Sequence, residues 1–295
     1  MSEFKGYHPI VNFTYFVFVI GFSCFFLHPV CLGISILSGF TYSVILKGRR
    51  QVKKNLIYMI PMILFAAILN PLFNHQGVTI IGYLPSGNPL TLESILYGIF
   101  AAEMVVGVLC HFSCYNEVMT SDKFIYLFGR IIPSVSLIIS MTLRFVPKFS
   151  AQLKVVVNAQ KCMGRDLSKG KVMSRLKNGL NILSIMTTWA MENAIETADS
   201  MKARGYGLPG RTAFSVFTFD RRDKNALICI LILGTYVIFG NLMGEMYFRF
   251  FPTMKSAEIS LFGVSVYLSY FILCMYPIII EVWEVMKWKV LRSKM

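Results

Sequence analysis

Six apolar stretches, near Val11–Leu27, Val30–Leu46, Leu56–Phe73, Leu92–Phe112, Ala226–Met243 and Ser260–Ile280, constrain this chain more than any other feature. About 20 apolar residues carry a helix across a hydrocarbon core roughly 30 Å thick. In that core every backbone N–H and C=O must be satisfied within the protein, so single stretches of this length have to be helices.

Composition leads to the same class. Of 295 residues, 55% are hydrophobic and only 15% are charged, and mean hydropathy is +0.60. A soluble domain of this size could not hide so much apolar surface. The expected fold is therefore an all-α polytopic membrane protein with about six transmembrane helices. The net charge of +14 is localised: Arg144 to Lys224 holds 15 of the 29 Lys and Arg but 6 of the 15 acids. A basic membrane-flanking segment is retained in the cytoplasm. Nucleic acid is not an expected partner, because no separate soluble domain carries the charge. Seven cysteines, an odd number scattered through apolar stretches, argue against a disulfide framework. The first apolar run has no small-residue cleavage site and leads into another span, so no cleavable signal peptide is expected.

Loop charge gives an orientation. Lys47-Gly48-Arg49-Arg50-Gln51-Val52-Lys53-Lys54 places five basic residues in eight and is expected to be cytoplasmic. Asn74–Thr91 has no Lys or Arg and is rich in Gly and Pro, as an outside loop should be. With six spans, both termini and the tail Lys287, Lys289, Arg292 and Lys294 fall inside. Phe124–Leu143 is apolar but contains Arg130 and Pro133, and crossing there would send the basic region outside. It is read as a membrane-hugging or partly inserted helix, with an odd number of crossings as the open alternative. Three segments result: residues 1–123 with the first spans, 124–224 with a cytoplasmic, membrane-adjacent region, and 225–295 with the last spans and a basic tail.

From Arg144 the pattern is helical. Phe145, Phe149, Leu153, Val156 and Met163 share one side, while Lys154, Asn158, Lys161 and Arg165 recur on the other. Gly164 weakens the end of this helix, and Ser168-Lys169-Gly170-Lys171 is a polar connection. A second helix is expected from about Leu180 to Arg204. Its apolar side holds Ile182, Ile185, Met186, Trp189, Ala190, Ala194 and Met201, and its wet side Glu192, Glu196, Asp199 and Lys202. Gly205 and Gly207 offer left-handed conformations that stop helices, and Pro209 prevents resumption. Taken alone, Ala203-Arg204-Gly205 is an ordinary helix end with a cation favourably placed on the dipole.

Two long amphipathic helices, each ending in a short glycine- and arginine-containing motif within a membrane protein, resemble a known family. The chain is similar to the transmembrane T component of energy-coupling-factor (ECF) transporters, relatives of the membrane subunit of cobalt and nickel importers. The resemblance is strongest from Pro133 to Arg211. Leu143-Arg144-Phe145-Val146-Pro147 matches the approach to that family's coupling helices, and Met201-Lys202-Ala203-Arg204-Gly205-Tyr206-Gly207 matches its second Ala-Arg-Gly motif. Ala159–Asp166 occupies the place of the first, with Cys162-Met163-Gly164 where Ala-Arg-Gly is expected and Arg165 one place later. Arg165 either takes over the charged contact from a shifted position or leaves that contact weaker.

The resemblance implies a non-catalytic scaffold of an ATP-driven importer for a vitamin or a transition-metal ion. Its partners would be two cytoplasmic ABC-type ATPase subunits, a substrate-capturing membrane S component and the lipid bilayer. The ATPase-contacting residues would be Ala203, Arg204 and Gly205 at one end, and Cys162, Met163, Gly164 and Arg165 at the other. An arginine fork pairs with carboxylates or carbonyls, and glycine admits a close backbone. The chain has no Gly-x-x-x-x-Gly-Lys-Ser/Thr phosphate loop, so ATP hydrolysis is expected on partners. No catalytic residue, cofactor or resident metal is expected.

Other features have plainer readings. Cys110-His111-Phe112-Ser113-Cys114 reads as a span end rather than a metal site, since His111 points about 100° from Cys110. Glu103, an acid within the fourth span, either pairs inside the bundle or marks contact with the S component. Glu281 and Glu284 pair with Lys287 at the interface. Asn70-Pro71 and His75 form a turn, and Trp283 and Trp288 anchor at the interface. The alternative function is a self-contained secondary transporter or channel. That would call for inverted repeats and several intramembrane polar residues, which the sequence does not display.

Overall fold

A computed structural model describes residues 2–48, 50–83, 87–129, 132–166, 172–209, 217–257 and 260–293. Arg130, Ser168-Lys169-Gly170-Lys171, Arg211 and Lys294 lie outside the described residues. The chain forms two compact units, Met1–Phe124 with Phe217–Met295, and Ile125–Val216.

The apolar stretches fold as helices. In the first unit these are α1 (Pro9–Phe25), α2 (Pro29–Lys47), α3 (Arg50–Phe73) and α4 (Leu92–Val118), then, after α5–α7 described below, α8 (Arg221–Leu242) and α9 (Leu261–Ser293). Five of them, α2, α3, α4, α8 and α9, are long and apolar enough to cross a membrane. With 17 residues, α1 stands at the short end of the spanning range. The chain is an all-α polytopic membrane protein. Between α3 and α4, β1 (Ile80–Tyr83) and β2 (Pro89–Thr91) pair antiparallel, with Ile80 opposite Thr91 and Tyr83 opposite Pro89. Short β3 (Phe248–Arg249) and β4 (Lys255–Ser256) pair between α8 and α9.

One histidine–proline device starts both of the first two helices. His8 Nδ1 accepts from Ile10 N at 3.3 Å, and His28 Nδ1 accepts from Val30 N at 3.3 Å. In each case the next residue is proline, whose missing N–H costs nothing in a first turn. Val11, Tyr15 and Val19, spaced one helical turn apart on α1, meet Ile230 and Val237 of α8 and Val266, Tyr270 and Leu273 of α9 in one buried cluster. Helix α4 packs against α1, α2 and α3. At Gly98 the approach to α3 is so close that a Cβ would fall 2.7 Å from the Ala66 carbonyl oxygen.

Several local expectations change. Helix α3 starts at Arg50, so most of the basic run is helical rather than loop, in keeping with Arg and Lys as good helix formers. Asn70 and Pro71 are still helical, and Asn70 Nδ2 donates to the Ser94 carbonyl at 2.5 Å. Because α4 continues to Val118, Cys110, His111 and Cys114 are buried inside a helix rather than at its end. His111 Nε2 lies 3.1 Å from the Ser35 carbonyl. Among the described residues no group of three His, Cys, Asp or Glu could hold a metal ion. Half-buried Glu103 has no hydrogen-bond or ion-pair partner among the described residues. Glu281 is not paired with Lys287: it is buried, accepts from the Ser2 hydroxyl, and lies 3.4 Å from Phe4 N.

The N-terminal residues form a second polar assembly in this unit. Phe4 is fully buried in a 3-10 turn, Phe4–Gly6, with its ring edge-on to Tyr15 at 5.3 Å. Lys123 Nζ donates to Lys5 O at 2.5 Å. In the amide orientation of Asn12 that satisfies its neighbours, Nδ2 donates to Phe4 O at 3.1 Å and Oδ1 accepts from Lys123 at 2.7 Å. Burial, and secondarily the Lys5 charge, push the Lys123 ammonium down to about 8, against the opposing pull of Asp223. The nearby His8 imidazole is also lowered, first by burial.

A folded-state pKa below the unfolded one means that between about 8 and the ordinary lysine value the unfolded chain binds more protons. Stability is therefore expected to rise with pH across that window and to be flat below it. Thermal unfolding in detergent should show the wild-type advantage over Lys123→Met growing from about pH 8 to about pH 10. A constant or shrinking advantage would contradict the assignment.

Candidate functional site

The second unit begins within α5 (Ser121–Gly129) and contains α6 (Pro133–Cys162) and α7 (Val172–Ala203). Phe124–Leu143 is thus not one helix. One helix ends at Gly129 and the next begins at Pro133, which takes the first-turn position of α6. Both long helices start earlier than the periodicity indicates, α6 by 11 residues and α7 by 8. Pro147 sits inside α6, which continues through it despite the lost N–H donor.

The two helices pack side by side. Val156 of α6 and Ile182 and Met186 of α7 form a small core, flanked by Phe149, Val157 and Trp189. The Phe149 and Trp189 rings meet edge-on at 5.1 Å. Lys148 Nζ donates to Asn193 Oδ1 at 2.6 Å and lies 5.5 Å from the Trp189 ring. Pairing of 148 with 193 and 156 with 182 makes the helices antiparallel, so their C-terminal ends point opposite ways. At about 1.5 Å per residue the two ends are roughly 40 Å apart.

The inward face is narrower than the sequence pattern. Leu153 on α6, Met163 just past its end and Ile185 on α7 are exposed, as are Leu176, Leu180, Leu183, Met191 and Ile195. The reason is geometric: two helices cover only one stripe of each other, and both carry apolar residues beyond that stripe.

At their ends the helices converge on one backbone design. After Cys162, Gly164 takes φ +77°, Gly164 N donates to Lys161 O at 3.0 Å, and Arg165 N donates to Gln160 O at 3.0 Å. After Ala203, Gly205 takes φ +78°, Gly205 N donates to Lys202 O at 2.9 Å, and Tyr206 N donates to Met201 O at 3.0 Å. Both are complete Schellman caps, in which a left-handed residue turns the last N–H groups back onto orphan carbonyls. Superposed by cap position, Cys162 matches Ala203, Met163 matches Arg204, Gly164 matches Gly205, and Arg165 matches Tyr206. Arg165 therefore stands two positions beyond the arginine site, and a methionine that is 60% exposed occupies that site.

The second end carries more charge. Arg204 is exposed and has no ion-pair partner among the described residues. It borders a groove of about 610 Å³ that also takes in Arg144 and Lys148 of α6, with Glu196 the one acid among its lining residues. Met141, Phe145 and Tyr206 supply its apolar walls. The first end is tied across the hairpin by Asn178 Nδ2, which donates to Asp166 O at 3.3 Å. Sequence reasoning missed Arg144 and Lys148 as companions of Arg204, because the antiparallel pairing that joins them is not local.

No family model matches the chain. Curated proteins do. The chain is 28% identical over 192 residues to the energy-coupling factor transporter transmembrane protein EcfT of Streptococcus thermophilus, covering 61% of this chain and 72% of that one. With the protein of the same name from Lactococcus lactis it shares 26% identity over 212 residues, 69% of this chain and 77% of the relative. The corresponding protein of Lactobacillus helveticus is 34% identical over a shorter stretch of 110 residues, only 37% of this chain and 40% of the relative. At 23–34% identity, these curated homologues are all named energy-coupling factor transporter transmembrane proteins, the T component family, and it is these that the chain resembles.

Proposed function

We propose that this chain is the non-catalytic transmembrane scaffold of an ATP-driven ECF-type importer whose cargo is a vitamin or a transition-metal ion. Two cytoplasmic ABC-type ATPase subunits would bind the two ends of the α6–α7 hairpin, and a substrate-capturing S component would bind the membrane unit. ATP hydrolysis takes place on the ATPases. Closure of the ATPase pair displaces the hairpin ends, and that displacement reorients the S component in the bilayer. Both termini and the hairpin are cytoplasmic in this reading, consistent with the basic run Lys47–Lys54 and the basic charge between Arg144 and Lys224.

The observation that carries the reading is the repeated cap. Two helix ends roughly 40 Å apart present equivalent backbone geometry, as two related ATPase grooves would require. The contacts would be Ala203, Arg204 and Gly205 at one end, and Cys162, Met163, Gly164 and Arg165 at the other. Because Met163 holds the place of Arg204, the first contact is the more apolar and the second the more electrostatic. Extraction of the full chain in mild detergent from its native host should bring two ATPase polypeptides with it. A chain that instead moves substrate in liposomes without ATPases would contradict the scaffold.

A further inference from the structure

Helix α3 marks the depth of the hydrocarbon core on this chain. Beyond Arg50, Lys53 and Lys54 it has no charged residue from Leu56 to Phe73, a run of roughly 27 Å that matches a bilayer core. Phe73, its last residue, is 82% exposed and stands at one edge of that core. The β1–β2 ribbon begins at the same level. Ser94 Oγ donates to the Asn74 carbonyl at 2.5 Å, Thr91 Oγ1 to the Gln76 carbonyl at 2.8 Å, and Leu92 N to the Thr79 carbonyl at 3.0 Å. Thr79 N and Oγ1 donate to buried Glu93 at 3.2 and 2.8 Å. These bonds fasten the base of the ribbon to the first turn of α4.

Two properties restrict what surrounds the ribbon, from opposite sides. Val78, Ile80, Ile81 and Tyr83 are between 49% and 72% exposed, and no Asp, Glu, Lys or Arg occurs from Asn74 to Leu92. Such a patch is unfavourable in bulk water. A two-stranded ribbon, however, leaves the N–H and C=O groups of its outer edges unpaired, which keeps it out of hydrocarbon. Only the interfacial layer is both wet and partly apolar, and tyrosine is enriched there. We propose that this ribbon is an interfacial anchor, with Val78, Ile80, Ile81 and Tyr83 among the phospholipid headgroups of the leaflet opposite Arg50, Lys53 and Lys54. Lipid is the occupant because the patch continues the exposed apolar side of α3, Phe65, Ile68 and Leu72, with no charged residue between. The anchor fixes the depth of the α3–α4 pair in the bilayer.

The test uses the full chain in its native membranes and does not depend on ATPase binding. Tyr83→p-benzoylphenylalanine keeps an aromatic ring at an exposed position and makes it photoreactive. After irradiation, mass spectrometry of the chain should find phospholipid as the main adduct. An adduct to a second copy or to another polypeptide would overturn the anchor and make the patch a protein interface. No adduct after prolonged irradiation would overturn it too, because it would place the residue in bulk water. Val78 and Ile81 are both more than half exposed, and neither has a partner in the strand register. Adding Val78→Asp and Ile81→Asp should therefore leave the pairing intact and cut the phospholipid adduct at position 83 by about fivefold or more. An unchanged yield in that variant would mean that the apolar side chains do not hold the ribbon in the interface. If the double variant does not fold, the identity of the adduct in the otherwise unaltered chain decides.

Discussion

Arg204→Glu is expected to release one ATPase subunit from the purified complex while leaving the chain folded and membrane-inserted. The side chain is exposed and has no ion-pair partner among the described residues, so its loss breaks no ion pair there. Reversing the charge at a helix C-terminus costs about 0.3–1 kcal/mol through the dipole, which is small beside the interface effect. An arginine anchor at an interface is worth about 2 kcal/mol or more on truncation, roughly 30-fold in affinity. Charge reversal adds repulsion from an acidic partner surface that Arg144 and Lys148 would otherwise help to hold. Affinity for the ATPase, followed by size exclusion or surface binding, should fall by about 30-fold or more. The reciprocal change at the other end tests the cap register: Met163→Arg places a guanidinium where Arg204 stands, and should tighten that contact where Arg165→Ala alters it little. Equal retention by Arg204→Glu and wild type would remove Arg204 from the interface.

Gly205→Val should have a comparable effect by a different route. At φ +78° an L-residue pays about 1–2 kcal/mol, and β-branching makes the strain worse. A Cβ there would also meet the Leu208 Cδ1 at 3.1 Å. The last turn would escape by unwinding, which moves Arg204 away from its capped position. ATPase affinity should drop about tenfold, and amide exchange of Met201–Tyr206 should accelerate, with no change around Ile182. Gly205→Asn, which tolerates the left-handed region, should fall between the two. At Gly164 a Cβ would have nothing within 4 Å, so Gly164→Val should show the backbone cost alone. Wild-type affinity and exchange in Gly205→Val would mean that the cap does not position the contact.

Much of the architecture was legible because membrane crossing depends on run length and hydropathy, both local properties. The same locality explains the errors. Hydropathy marks where the apolar residues of α3 and α9 lie, yet both helices run on into basic flanks whose lysines and arginines are good helix formers. The hairpin caps were legible too, since glycine after a periodic run is a local signal. What the sequence hid is non-local. Glu281 reads as an interfacial partner for Lys287 but binds Ser2 and Phe4, 279 and 277 residues away in the chain. Lys123 carries no local sequence signal and is buried against Lys5 O across 118 residues. Those sites arise where the residues before α1 meet α9 and α5.

If ATPases cover the ends of the α6–α7 hairpin, Cys162 reports it without any mutation. The thiol is exposed at the first helix end, while exposed Cys24 lies on α1. Maleimide modification of each, followed by mass spectrometry in the complex and in the stripped chain, gives the comparison. Coverage should slow Cys162 by about tenfold or more in the complex and leave Cys24 unchanged. Equal reactivity of Cys162 in both preparations would mean that no ATPase sits on that end.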